Sequence, residues 1–369
     1  MKYFHRLWLL LCLAIQAAAG AATPPLTVTF FDVWQGDSEW IHTPGGKNIL
    51  IDGGPPEAGL EVLARLREAG VKTLDLLVIS HPHADHFGGL TVLVQALPVA
   101  TVWDSGQPTS SRSYLALLQA LDRQQTAKLE VARAGQALDL GDGVQLEVLA
   151  PADPLLKDTH SDPNNNSVVI RMTYGQVSFL FTGDIEDDGV ASVLEKAGPR
   201  LQAQILKVPH HGSRYTTRDD FLDAVRPEVA IISSGRGNSY GHPHQEALQR
   251  LQAHKVQVLR TDERGSIRVS TDGRTYQLAS LPTPPDMARR MRGHHRPEAD
   301  RDSPSVAASR RPVNLNTATL QELMALPGIG KALGQRIIDR RPYRALEELG
   351  RLKGFSPRKL EQLRERVAI

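Results

Sequence analysis

Six consecutive residues, His81-Pro82-His83-Ala84-Asp85-His86, bring three imidazoles and a carboxylate together directly after an apolar run over residues 74–80. A packed core does not tolerate that density of unpaired polar groups, whereas a loop leaving a strand end can converge them on a cation. His81 and His83, two apart, can face one metal while Asp85 and His86 turn to a second. Gly88-Gly89 then lets the backbone bend back into a helix. Other groups able to do chemistry stand at the ends of later runs. Thr182-Gly183-Asp184 follows the apolar Phe179-Leu180-Phe181, which puts a carboxylate at a strand end. Lys207-Val208-Pro209-His210-His211-Gly212-Ser213 and Asn238-Ser239-Tyr240-Gly241-His242-Pro243 close two more. A histidine and carboxylate set without thiolate suits zinc or manganese. Two such ions would clamp a phosphodiester and activate water at neutral pH.

The elements that must hold these groups alternate. Strands are expected at 27–33, 48–52, 74–80, 100–104, 145–150, 167–174, 177–182, 204–208 and 229–233, and helices at 57–69, 111–122, 187–196 and 244–254. A hairpin over 266–270 and 275–279 turns at Asp272-Gly273. Many strands with interspersed helices predict a layered α/β sandwich. The organisation reads as a signal peptide at 1–22, a hydrolase domain at 23–281, a flexible linker at 282–311 and a compact helical unit at 312–369. His294 and His295 fall in the Pro-rich, charged linker and are read as solvated.

Lys2 and Arg6, an apolar stretch over 7–15 and the small residues at 17–22 have the form of an export signal, which implies a periplasmic or secreted protein. No other segment is long and apolar enough to span a bilayer. The single cysteine, Cys12, lies inside the signal, so the mature chain has no disulfide, thiolate nucleophile or cysteine-bound zinc. The net charge of +2 hides an asymmetry. Residues 281–369 hold 18 Lys and Arg against 10 Asp and Glu, leaving 25 against 31 for residues 1–280. A basic tail on an acidic body points the tail toward a polyanion.

The H-x-H-x-D-H loop, with Thr182-Gly183-Asp184 and the two later histidine segments in order, resembles the metallo-β-lactamase superfamily. Within it, the resemblance is to the extracytoplasmic hydrolase domain of ComEC-type DNA-internalisation proteins. Phe31-Asp32-Val33-Trp34-Gln35-Gly36-Asp37 and Asn164-Asn165-Asn166-Ser167 agree with that. The resemblance implies an αβ/βα sandwich with His81, His83, Asp85, His86, Asp184 and His210 as ligands of two divalent ions. It leaves Asp37, Asn166, His211 and Ser213 as outer or substrate-facing groups. Asp85 is given a catalytic as well as a ligand role. His242, with no metal partner evident in sequence, is read as phosphate-contacting or proton-donating. Three departures stand out. Trp34 replaces the usual glycine, no channel-forming membrane region is present, and the usual third-motif histidine has only His160 as a candidate, which reads as a loop residue.

Val313-Asn314-Leu315-Asn316-Thr317-Ala318 and Leu326-Pro327-Gly328-Ile329-Gly330 resemble the helix-hairpin-helix domain of ComEA-type DNA receptors, a small all-α unit. Thr319 and Glu322 stand in a capping-box relation ahead of Leu323. Gly328 and Gly330 expose backbone N–H groups to a phosphate. Lys331, Lys353 and Gly354, with Arg336, Arg358 and Lys359, extend a surface for non-specific, salt-dependent contact with DNA. The combined reading is an exported, two-metal DNA phosphodiesterase, with competence or DNA-uptake machinery as a partner. The alternatives are a small-molecule phosphodiesterase or lactonase, against which the basic tail argues, and a non-catalytic DNA receptor, against which the complete ligand set argues.

Overall fold

Alternation of apolar side chains along the strands decides the architecture, because a period of two sends neighbours to opposite faces of a sheet. In Asn48–Ile51, Ile49 and Ile51 enter one core and Leu50 another; in Val229–Ile232, Val229 and Ile231 separate from Ala230 and Ile232 in the same way. Strands buried on both faces need cover on both. The chain supplies it with two sheets face to face and helices outside each. The structure is a computed structural model that describes residues 24–282. Within 312–369 it describes all but 325, 327, 328, 330, 353, 354, 356–359, 361, 362 and 365.

The first sheet has eight strands, in the order Tyr276–Leu281, Ser266–Thr271, Leu26–Phe30, Glu39–His42, Asn48–Ile51, Leu74–Ile79, Val99–Asp104 and Lys128–Val131. The second has seven, in the order Gln257–Arg260, Val229–Ile232, Ile205–Lys207, Val177–Phe181, Val169–Tyr174, Val144–Ala150 and Ala137–Gly141. Between them lies a core that includes Phe30, Val78, Trp103, Ile170, Phe179 and Phe181. Helices Gly59–Glu68, Leu90–Ala96 and Arg112–Arg123 bury the outer face of the first sheet; Asp187–Ala197, Asp219–Val225 and Gln245–Ala253 bury that of the second. The expected sandwich is thus present. The hairpin pairs Thr271 with Tyr276 and turns through Gly273 at a φ of 86°. The signal-peptide and linker expectations fall on residues outside those described. Among the described residues no helix is long and apolar enough to cross a membrane.

Four strands were not expected. Lys128–Val131, Ala137–Gly141 and Gln257–Arg260 are sheet edges whose side chains are mostly exposed or half-buried, so they carry little apolar alternation to read. Glu39–His42 lies inside the first sheet but carries a buried glutamate, which breaks the pattern.

The second described segment packs Leu315, Leu323, Ile329, Leu333, Ile337, Tyr343 and Leu349 around helices Leu320–Met324 and Lys331–Asp339 and the 3-10 turn Leu346–Arg351. The capping box is closed in both directions. The Thr319 N–H donates to Glu322 Oε2 at 2.7 Å and the Glu322 N–H to Thr319 Oγ1 at 3.2 Å. A short parallel pairing of Val313–Asn314 with Val367–Ala368 adds strand to a unit expected to be all helix.

Gly88 and Gly89 have ordinary helical φ of −57° and −67°, so their value is not conformational freedom. They allow close approach. A Cβ on Gly89 would fall 2.1 Å from the Gly53 carbonyl oxygen, and one on Gly88 2.4 Å from Pro56 Cδ. The histidine loop is held here, with the Gly53 N–H donating to the His86 carbonyl at 2.7 Å. Gly89→Ala should therefore destabilise the chain by about 1–3 kcal/mol through overpacking, read as a lower urea midpoint. An unchanged midpoint would mean that the loop is not clamped at this contact.

Candidate metal centre

Parallel strands deliver their carboxyl ends to one rim, where open α/β sheets place ligands. Asn48–Ile51 runs into Asp52, Leu74–Ile79 into Ser80 and His81, Val177–Phe181 into Asp184, Ile205–Lys207 into His210 and His211, and Val229–Ile232 into Ser233. Two sheets thus contribute to a single cluster. Gly183 turns at a φ of 50°, and the Asp184 N–H donates to Ser167 Oγ at 3.2 Å, aiming the carboxylate at the histidines.

Asp184 Oδ2 lies 3.2 Å from His86 Nε2, 3.3 Å from His211 Nε2, and 3.9 Å from both His81 Nε2 and His210 Nε2. Asp85 Oδ2 is 3.4 Å from His211 Nε2 and 3.9 Å from His86 Nε2. His83 Nδ1 sits 3.1 Å from His81 Nε2. One donor atom from each of Asp85, His86, Asp184 and His211 falls within 4.8 Å of the others, as a shared cation requires. The buried atoms His86 Nε2, His211 Nε2 and Asp184 Oδ1 have no hydrogen-bond partner. Buried polar atoms are costly in that condition, and divalent ions would satisfy them. The donor set fits two such ions, with His81 and His83 adding two more imidazoles beside Asp184.

The structure draws together His81, His83, Asp85, His86, Asp184, His210, His211 and His242. Of the two adjacent histidines the sequence favours His210 as a ligand; in the structure both approach Asp184, His211 Nε2 more closely than His210 Nε2. His211 is buried and points Nε2 into the cluster, while His210 is 23% exposed and its Nδ1 is 3.3 Å from Glu186 Oε1. Both have left-handed φ, 47° and 54°. Two such residues in succession cost about 1–3 kcal/mol each, and this turn sets how closely each ring approaches Asp184. The His242 ring centroid is 5.4 Å from that of His210 and 6.0 Å from that of His211, at the half-exposed edge.

The outer groups are now visible. Asp52, which the sequence did not single out, accepts from His86 Nδ1 at 2.8 Å and from the Ser80 hydroxyl at 2.5 Å. Such acceptors fix the ring and tautomer of a ligating imidazole. The His211 Nδ1–H donates to the Ser233 carbonyl at 3.0 Å, with Asp37 Oδ1 at 3.3 Å. Asn166 is a loop-ordering residue: its amide donates to the Leu156 and Asp162 carbonyls and its oxygen accepts from the Leu156 N–H. Ser213 is buried and its N–H donates to the His210 carbonyl. His160 is exposed on a loop. Trp34, at a φ of 71°, abuts Gly235, where a Cβ would meet its indole Cδ1 at 2.7 Å. Gly328, Gly330, Lys353 and Gly354, with Arg358 and Lys359, lie outside the described residues. Lys331 is described only as the first residue of its helix, and Arg336 is exposed.

Known proteins match the chain in two parts. Residues 32–236, more than half of the chain, match the metallo-beta-lactamase superfamily. The chain belongs to that superfamily. Residues 308–368 match the helix-hairpin-helix motif, so this is a hydrolase of the metallo-beta-lactamase fold carrying a DNA-binding motif. ComE operon protein 3 of Bacillus subtilis is 34% identical over 272 residues, covering 69% of this chain and 34% of that protein. Competence protein ComA of Neisseria gonorrhoeae is 34% identical over 242 residues, covering 65% and 32%. Recombination protein 2 of Haemophilus influenzae is 31% identical over 267 residues, covering 71% and 31%. The chain spans about a third of the length of these relatives.

Electrostatics in the metallo-beta-lactamase cluster is dominated by burial set against pairing. Burial alone would raise the Asp184 carboxyl, but His211, His86 and His210 hold it well below the usual carboxylate range. Burial would lower His86 and His211; Asp184, Asp85 and Asp52 lift the first, and Asp184 and Asp37 the second, well above the ordinary 6.5. His81 moves the other way, through burial and the adjacent His86 and His83. Burial and His211, His210 and His244 push His242 down to about 2, so its ring is neutral. Because the folded values of His86 and His211 are raised, their pairing stabilises the metal-free chain fully below 6.5 and is lost as pH climbs through those values. Each ring must lose its proton before ligating. Metal affinity should therefore rise as pH climbs above 6.5 and through the raised values of the two rings, with up to about two protons released per chain near neutrality. Calorimetric titration with manganese or zinc, in buffers of differing ionisation enthalpy, counts them. Zero net release would place both rings outside the coordination.

Proposed function

We propose that this chain is an exported, metal-dependent DNA phosphodiesterase that holds its substrate through the helix-hairpin-helix segment. The observation that supports it most is the cluster of Asp85, His86, Asp184 and His211, in which His86 Nε2, His211 Nε2 and Asp184 Oδ1 are buried without hydrogen-bond partners, in a chain that also carries a DNA-binding motif. One relative is a competence protein, which favours a place beside DNA-uptake machinery and a periplasmic or secreted location after removal of residues 1–22.

In this reading His81, His83 and Asp184 hold one ion, and Asp85, His86, Asp184 and His211 the other. Zinc and manganese both suit the donors. Bound divalent ions would supply charge to neutralise phosphoryl oxygens and would ready water for attack at neutral pH. The protein's own contribution is position and proton handling. Asp85, 35% exposed, is the ligand nearest entering water and substrate. His242, at the cluster's edge with Nδ1 buried and unpartnered, offers an N–H to the departing oxygen. A hydrogen-bond donor aimed at charge that develops in the transition state contributes about 10²–10³-fold. Its neutral ring donates a hydrogen bond without adding a repelling charge to the metals.

Digestion of plasmid and linear DNA with added manganese or zinc tests the catalytic half. Cutting is expected from the intact chain, with a loss of roughly 10²-fold or more in His83→Ala, since losing a ligand exceeds the about 10–100-fold cost of losing an outer partner. Equal cutting by both would remove the metal site from the reaction. The tethering half predicts that Lys331→Ala with Lys353→Ala weakens DNA binding and lowers its salt slope by about one per lysine. Hydrolysis of a small chromogenic phosphodiester should stay unchanged. Parallel loss of both activities would refute separate roles for the two segments.

A further inference from the structure

Lys207 ends strand Ile205–Lys207 with its side chain only 1% exposed. A lone ammonium is seldom found so deep, and it persists where a carboxylate and further acceptors meet it. Its Nζ is 2.7 Å from Asp37 Oδ2 and donates to the Val208 carbonyl at 3.1 Å. Asp37 is buried as well, and faces the metal cluster from behind: Oδ1 is 3.3 Å from His211 Nδ1 and Oδ2 is 4.0 Å from His86 Nδ1. The Lys207 carbonyl is engaged too, accepting from the Thr182 hydroxyl at 2.8 Å, two residues before Asp184. One lysine therefore touches the supports of three candidate ligands.

We infer that Lys207 is a positioning residue for the second metal subsite, its ammonium holding Asp37 behind the His211 and His86 rings whose Nε2 atoms face Asp184. Without the cation, Asp37 has no reason to stay in a closed interior. Without Asp37, the two rings lose a negative charge that favours their binding of a divalent ion. This inference rests on the metal-dependent part of the proposed function and is independent of the substrate. Glu39 and Asp184 also act on the Lys207 ammonium, so the region holds three carboxyl groups around one lysine. That imbalance makes the lysine the element whose loss the others cannot cover.

Lys207→Met in the full chain would leave Asp37 buried and alone. The informative variant is Lys207→Met with Asp37→Leu, which removes both charges, as apolar replacement of a buried pair is often tolerated by the fold. Manganese and zinc stoichiometry and affinity are read by calorimetry and elemental analysis, beside thermal unfolding. The expected result is a cooperatively unfolding double variant that keeps one ion at parental affinity and binds the other about 10–100-fold less tightly. A folded double variant that binds two ions as the parent does would overturn the inference and leave the pair a structural feature. If the double variant does not fold, Asp37→Asn takes its place, since it keeps the shape and an acceptor for Lys207. Weaker binding of one ion by Asp37→Asn would then support the inference, and parental binding of both would overturn it. An intact chain that binds neither metal would sink the metal-dependent reading itself, an outcome distinct from unaffected variants.

Discussion

The rest of the molecule is arranged around one carboxylate. Asp184 lies almost wholly out of water with imidazole nitrogens of four histidines between 3.2 and 3.9 Å of one oxygen. Such a grouping is unstable in isolation, because desolvated charges and lone pairs need compensation from every side. Compensation comes in layers: Asp85 opposite Asp184, Asp52 and Ser233 behind the rings, and Lys207 behind Asp37. The backbone is strained to reach that arrangement. Trp34, Asp52, His210 and His211 all have positive φ, and each belongs to a loop at this rim. These are four of the nine non-glycine residues with positive φ among those described, and strained residues held by a rigid scaffold are found at functional sites.

The sandwich explains why the strain can be held. Both sheets are buried on their two faces, so their strand ends are fixed by three hydrophobic cores rather than one. Loops springing from these ends inherit that rigidity, and side chains from residues 37 to 242 meet within a few ångströms. Ligand placement within about half an ångström is the requirement of a metal site. The histidine loop adds its own clamp, the glycine contact with residues 53–59.

Much of this was legible from residue order alone. The strands that end in site residues are strongly apolar and were placed to within two or three residues, as with the expected 74–80 against Leu74–Ile79. The H-x-H-x-D-H loop announced its chemistry because its groups are adjacent in the chain. Asp52 and Lys207 did not, since their importance is created by distant partners. Asp52 meets His86 across 34 positions, and Lys207 meets Asp37 across the two sheets. A lysine at the end of an apolar strand looks like a solvated terminus until burial is known. The relative aim of His210 and His211 was equally out of reach. It depends on two successive left-handed backbone angles, which no side-chain pattern encodes.

The charge asymmetry of the chain acquires a physical reason once the centre is described. A hydrolytic body whose residues 1–280 hold 31 acidic against 25 basic side chains repels a polyanion over a Debye length of about 8 Å in physiological salt. Divalent ions at the cluster would reverse the sign locally but act at short range. Residues 281–369, with 18 basic against 10 acidic side chains, supply the attraction that the body lacks. Joining the two on one chain converts a weak encounter into a local concentration, with no need for tight binding at the cluster. A diester held by a non-specific tail can slide and be presented at many positions, so in the proposed function the division of charge separates capture from cleavage. The same division would be wasted on a small neutral ester, whose arrival no basic segment could hasten.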